Sequence, residues 1–258
     1  MVRRAPCAAL SGIVTEFIGY RETQSGHFRQ FEPASLIAPL VISFGQPFSI
    51  AFGREPGQQD RIATFAAGLS RGHIVIDSFG AAYCLQVNFT PLGAWRFFGL
   101  PMQELADRMV TLDDIWGSQA SLLGEQLHDA ADWDRRFNLV ERLILARTSD
   151  GPDGSPIVRH AYQMLVRSGG NARIGEIARR LDCSRKHLVQ KFQTEVGLGP
   201  KAVARIARFG QAYSLVQSGD GDLADIAVEC GYADQAHLGR EFRTLSGKTP
   251  TAVQSGIA

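Results

Sequence analysis

No run of apolar residues in this sequence approaches the roughly 18 that a helix needs to cross a bilayer, so no membrane span is expected. Cysteine is sparse and scattered. Cys7, Cys84, Cys183 and Cys230 form no Cys-x-x-Cys pair, which argues against a disulfide framework and suits a cytoplasmic chain. His27, His73, His128 and His160 stand alone, so neither a metal site nor another cofactor is expected. The chain also lacks a Gly-x-Ser-x-Gly elbow, a Gly-x-Gly-x-x-Gly loop and a His-Glu-x-x-His pair. Gly247-Lys-Thr249 has the ending of a phosphate-binding loop, but that loop needs glycine where Phe242 stands. Such a loop also opens a helix, whereas this segment closes one. Catalysis has no positive support, and an enzyme is not expected. The opening Val2-Arg-Arg-Ala-Pro-Cys-Ala-Ala-Leu is too weakly apolar, and broken by Pro6, for a signal peptide.

Charge of one sign is not in excess either: Lys and Arg number 27 against 26 Asp and Glu, a net charge of +1. The balance hides a division. Residues 155–258 hold 14 basic and 9 acidic side chains, whereas the first 154 hold 13 and 17. Residues 159–218 alone carry 11 basic against 3 acidic. A localised nucleic-acid surface has this signature, and so does a solvated helical face.

What the sequence does contain is one unit twice. Ile174–Ala178 maps onto Leu223–Ala227 at an offset of 49, and His187, Leu188, Phe192 and Gly197 map onto His237, Leu238, Phe242 and Gly247 at an offset of 50. The extra residue falls between two helices, where a turn absorbs it. In the first copy Ile174, Ile177, Ala178 and Leu181 form one helical stripe. Ser184 then stands as N-cap of a second helix that buries Leu188, Phe192 and Val196 and stops at Gly197. The second copy repeats this with Leu223, Ile226, Ala227 and Cys230, then Asp234 as cap, then Leu238, Phe242 and Leu245, then Gly247. Two short helices on one apolar seam predict a helix-turn-helix, whose second helix presents its first turn to the DNA major groove.

These residues resemble the AraC/XylS-type bacterial transcription regulators. The resemblance rests on Ile177-Ala178, Ser184, Leu188, Phe192, Gly197 and Pro200, then Arg208, Ala212 and Leu215-Val216, then Ile226-Ala227, Gly231-Tyr232, Gln235, His237, Arg240, Phe242, Gly247 and Pro250. It implies two motifs held by a connecting helix from Pro200 to about Ser218, with Pro200 in a first helical position. It places base-reading side chains at Lys186, Val189 and Gln190, then at Gln235, Ala236, Gly239 and Arg240. Arg185 and Lys191 join them as DNA contacts. Gln190 departs from the family's usual arginine, and glutamine suits adenine where arginine suits guanine. Arg179, Arg180, Lys201, Arg205 and Arg208 are expected to add phosphate contacts.

Ahead of this region, Leu36–Phe44, Phe48–Phe52, Arg61–Ala67, Gly72–Phe79 and Ala82–Phe89 read as strands. The last alternates, with Tyr83, Leu85, Val87 and Phe89 on one face and Ala82, Cys84, Gln86 and Asn88 on the other. Leu92–Phe98, Met102–Arg108, Ser118–Ala130 and Trp133–Arg147 read as helices. Trp95, Phe97 and Phe98 either line an apolar pocket or belong to plain core. The glycine- and proline-rich segment Thr148–Pro156 reads as a linker. The expected fold is α+β: a β-rich domain with appended helices over residues 1–150, then an all-α DNA-binding domain over 157–258. By resemblance the first domain is cupin-like and binds a small-molecule effector or dimerises.

The expected function is sequence-specific regulation of transcription. The partners are a double-stranded DNA operator, RNA polymerase if the chain activates, an effector, and a second copy if the chain dimerises. An enzyme fused to a DNA-binding module would need converging ionisable groups in the β domain, and none is visible. An effector-free architectural DNA binder stays open.

Overall fold

The computed structural model describes residues 1–219 and 221–256, so Asp220, Ile257 and Ala258 of the expected second domain lie outside it. In chain order the strands are β1 (Val2–Arg4), β2 (Val14–Arg21), β3 (Phe28–Glu32), β4 (Ala38–Ser43), β5 (Phe48–Phe52), β6 (Arg61–Ile62), β7 (Phe65–Ala67), β8 (Ile74–Ser78), β9 (Tyr83–Phe89) and β10 (Met109–Thr111). They form a six-stranded sheet in the order β1-β2-β9-β4-β7-β10 and a four-stranded sheet in the order β3-β8-β5-β6, each with antiparallel pairing. The helices of this half are α1 (Pro91–Phe98), α2 (Leu112–Trp116), α3 (Ser118–Asp129) and α4 (Trp133–Asp150).

The alternation read in β9 divides two cores. Leu85, Val87 and Phe89 face the helices and pack with Phe17, Leu40, Phe97, Leu127, Phe137 and Ile144. Cys84 faces the smaller sheet, among Val41, Phe48, Ile50 and Phe65. Phe97 stacks on Phe89 at 4.7 Å between ring centroids and meets Trp116 edge-on at 5.2 Å, so the Trp95–Phe98 aromatics form core.

Several sequence expectations need correction. Strands begin well before Leu36. In β2 a bulge between Val14 and Glu16 shifts the register, so the buried residues Val14, Phe17 and Gly19 do not alternate simply. The run Arg61–Ala67 is two strands in different sheets, because the chain crosses between sheets at 63–64, where Thr64 Oγ1 accepts the Ser43 N–H at 3.1 Å. Met102–Arg108 is no helix. After a single 3-10 turn at Met102–Glu104 the chain bends away: the Gly68 N–H donates to Leu105 O, and the Asp107 N–H donates to Leu69 O. The linker is also shorter than read. Thr148 is buried inside α4, its hydroxyl donating to Ile144 O at 2.6 Å and its carbonyl accepting from Arg96 Nη2 at 2.7 Å.

The C-terminal half contains α5 (Pro156–Arg167), α6 (Ile174–Arg180), α7 (Arg185–Val196), α8 (Pro200–Ser218), α9 (Leu223–Glu229), α10 (Gln235–Ser246) and α11 (Pro250–Gln254). The N-terminal part of α8 contributes Val203 and Ile206 to a core with Ile177, Leu188 and Phe192. Its C-terminal part contributes Phe209, Ala212 and Val216 to a second core with Ile226, Leu238 and Phe242. One helix thus enters both motifs and fixes their mutual orientation. Tyr213 of the same helix is half-buried and stacks on Phe242 at 5.9 Å.

Candidate nucleic-acid interface and inter-sheet cavity

Each second helix of the repeated unit is held by caps at both ends. Ser184 Oγ accepts the His187 N–H at 3.1 Å, and Asp234 Oδ1 accepts the His237 N–H at 2.5 Å. Gly197 and Gly247 close the helices, their amides donating to Gln193 O at 3.1 Å and Arg243 O at 3.1 Å. Leu188 with Phe192, and Leu238 with Phe242, are fully buried and turn the opposite faces outward. On α7 those faces carry Arg185, Lys186, Val189, Gln190 and Lys191, all exposed. On α10 they carry Gln235, Ala236 and Arg240, also exposed, with Gly239 half-buried among them. Val189 leaves 37% of its surface in solvent. The Arg185 guanidinium lies against Gly175 of α6, which ties it to the first helix of its motif.

Two basic residues assigned to phosphate are engaged inside the protein instead. Arg205 pairs with Glu241 of α10 through two hydrogen bonds of 2.7 and 2.9 Å. Arg208 donates to Gly170 O at 3.0 Å and lies 5.9 Å from the Tyr232 ring centroid. Both are partly buried fasteners of α8. Arg179, Arg180 and Lys201 remain exposed. Cys230 is fully buried in the second motif and Cys183 half-buried in the first, both free thiols.

Gln86 and Asn88 point between the sheets, into a cavity of about 290 Å³ walled by Val41, Ile50, Phe65, Ile74, Ile76 and Met109. An adjoining space of about 600 Å³ shares Glu32, Gln86 and Asn88 with it and reaches Tyr20, Arg29 and Glu16. Asn88 is buried, donates to Glu16 at 3.1 Å and accepts from Gln86 at 2.8 Å. Glu32 lines both spaces, and burial pushes its carboxyl above the usual carboxylate range. Its charge also raises the Tyr213 hydroxyl on α8, after the larger effect of that tyrosine's own burial.

The cavity walls grip the second motif. Next to Glu32, the Ala34 N–H donates to Leu245 O at 2.7 Å, and Ala34 is buried in the core of that motif. From the loop after β7, the His73 N–H donates to Thr244 O at 3.2 Å. Phe31 lies 5.9 Å from Lys248 Nζ. The first motif is held as well: Leu36, Leu69 and Leu92 pack into its core, and the Ser155 N–H donates to the buried Glu195 at 2.8 Å. Burial raises the Glu195 carboxyl, against the lowering effect of that hydrogen bond. Sequence reading did not find Glu32, Ala34 or His73. Phe28-Arg-Gln-Phe-Glu32 does not alternate, and the pairing partner that would mark it as a strand, β8, lies far along the chain. No helix among the described residues is long and apolar enough to cross a membrane, and no group of three or more His, Cys, Asp or Glu there is placed to hold a metal ion.

Residues 177–256 match a family model described as a helix-turn-helix domain. The chain is 22% identical over 156 residues to the Msm operon regulatory protein of Streptococcus mutans, a match spanning 60% of this chain and 56% of that protein. It is 33% identical over 93 residues to the HTH-type transcriptional regulator Rv1931c of Mycobacterium tuberculosis, 36% of each. The chain therefore spans about half, and about a third, of the length of these curated relatives. Among solved structures, ToxT from Vibrio cholerae superposes with a TM-score of 0.52 at 11% identity, over 93% of this chain and 98% of that one. ToxT bound to an unsaturated fatty acid, from strain SCE256, gives 0.50 at 14% identity, over 94% and 97%. At those identities the likeness is one of fold, and it extends over both halves of the molecule. The chain thus carries a helix-turn-helix domain over residues 177–256, its two motifs on one connecting helix behind a β-rich half, in a fold similar to that of ToxT.

Proposed function

We propose that this protein is a cytoplasmic, sequence-specific regulator of transcription whose DNA affinity is set by a small molecule in the inter-sheet cavity. The observation that carries the reading is the pair of capped helices, α7 and α10, locked by α8 with their polar faces outward. On this reading α7 reads bases through Lys186, Val189 and Gln190, with Arg185 and Lys191 on phosphate or base. Helix α10 reads through Gln235, Ala236, Gly239 and Arg240. Residues 1–150 form the sensing domain and 157–258 the DNA-binding domain. RNA polymerase is a further partner if the regulator activates, and a second copy of the chain if it dimerises. An enzymatic role finds no support in the polar groups lining the cavity, where Gln86, Asn88 and Glu16 engage one another along one sheet.

Control follows from the grip described above. A ligand changes DNA affinity through unequal affinity for two arrangements of the domains. The segments donating to Leu245 and Thr244 also wall the cavity or continue its walls, so filling it shifts the C-terminal end of α10. That ToxT, a protein of similar fold, binds an unsaturated fatty acid supports a small-molecule sensing role here. The test is retention of sheared DNA from the source genome by the intact chain at physiological salt. Enrichment of a few discrete fragments is expected; uniform retention of all fragments would overturn sequence-specific regulation.

A further inference from the structure

The cavity's lining has a chemical bias that narrows the ligand. Glu32 is the single charged residue around the 290 Å³ space, which contains no lysine, arginine or histidine. The adjoining space adds Met1, Arg3 and Arg29; the Met1 end is open to solvent, and the two arginines are already neutralised. Arg3 pairs with Glu16 at 2.5 Å, and Arg29 donates to both Asp77 oxygens at 2.8 and 2.9 Å and pairs with Glu55 at 3.0 Å. Glu32 accepts a neutral amide hydrogen bond from Gln30 at 2.7 Å and has no cationic partner among the described residues. A partly desolvated carboxylate without a countercharge favours a ligand that brings one, and a second carboxylate beside it meets like-charge repulsion.

We propose that the cavity takes a molecule with an apolar body and a protonated nitrogen, the nitrogen pairing with Glu32 and a further polar group meeting Gln86 and Asn88. A fatty acid is excluded from the same place. This rests on the sensing role proposed above and adds the head-group chemistry to it. Glu32 stands two residues ahead of Ala34, whose N–H donates to Leu245 O of α10, so occupancy bears on the DNA-binding half through that contact.

The test uses the intact chain and three probes of one chain length: octylamine, octanol and octanoate, each below its micelle concentration, with binding read by thermal shift and calorimetry. Octylamine is expected to bind at least tenfold more tightly than octanol, and octanoate not at all. Glu32→Gln, which keeps shape and hydrogen bonding, is expected to remove the advantage of octylamine and leave octanol within twofold of its wild-type affinity. Octanoate binding as well as octylamine, or an octylamine advantage that survives Glu32→Gln, overturns the head-group assignment while leaving the sensing role standing. Failure of all three probes, with octylamine also failing to change operator affinity, overturns both.

Discussion

Gly247 and Gly219 offer a matched pair for testing whether the two halves work as one unit. Both end a helix in the left-handed region, at φ of +73° and +77°. A methyl group at either place carries the same backbone cost of ~1–2 kcal/mol. Their surroundings differ. At Gly219 nothing lies within 4 Å of an added Cβ, whereas at Gly247 the Cβ falls 2.8 Å from Phe31 Cδ1 and 3.0 Å from His73 Cδ2, both in the β-rich half. Relieving that contact means swinging Phe31 away from His73 and Lys248 or parting the domains, and overpacking of this kind costs about 1–3 kcal/mol. Gly219→Ala is therefore expected to lose ~1–2 kcal/mol in urea unfolding and Gly247→Ala about 2–5 kcal/mol. Far-UV circular dichroism follows mainly the helical half, while fluorescence follows Trp95, Trp116 and Trp133, all in the N-terminal half. The two signals should coincide in the wild type and separate in Gly247→Ala. Equal losses at the two glycines, with coincident signals in both variants, would refute the argument that the cavity walls hold α10.

Other expectations follow from the same geometry. Arg240→Ala should cost about 1–3 kcal/mol of specific binding and relax one operator position, read from binding to single-base operator variants. Neutralising about six phosphates gives a log–log salt slope near −5, which Lys186→Gln with Lys191→Gln should flatten. Arg205→Gln should leave that slope unchanged and lower stability by breaking the Glu241 pair. Ser184→Ala should cost ~1 kcal/mol in unfolding and weaken DNA binding through fraying of the turn that carries Arg185 and Lys186. The Arg29 guanidinium, and less strongly His27, hold the Asp77 carboxyl below its usual range, so this pairing stabilises the fold above about pH 4 and is lost as pH falls through the lowered pKa. Asp77→Asn should flatten that acid limb of the stability profile in denaturation midpoints measured against pH.

The parts visible in the sequence are those whose physics is local. Ser184, Gly197, Asp234 and Gly247 mark helix ends by their own hydrogen bonds and backbone freedom, and Leu188 to Phe192 sets a helical face within one turn. Strand β9 was visible because its alternation is unbroken, and it correctly put Gln86 and Asn88 on a face away from Leu85 and Val87. What stayed hidden depends on distant pairing. A bulge disrupts the pattern of β2, β3 is defined by β8, and Arg61–Ala67 divides because two sheets claim its ends. The charge pattern misled at Arg205 and Arg208, since composition counts a guanidinium without showing whether Glu241 or Gly170 already holds it.

The central claim is that two helices of one chain read two separate parts of one DNA site, and selection from random duplexes tests it most directly. The intact wild type, Gln190→Arg and Arg240→Ala would be carried through the same selection at fixed salt. The expected result is a two-part sequence motif in which Gln190→Arg changes one part from A·T toward G·C and Arg240→Ala blurs a position in the other. A wild-type pool with no enriched sequence, or both substitutions altering the same positions, would contradict it.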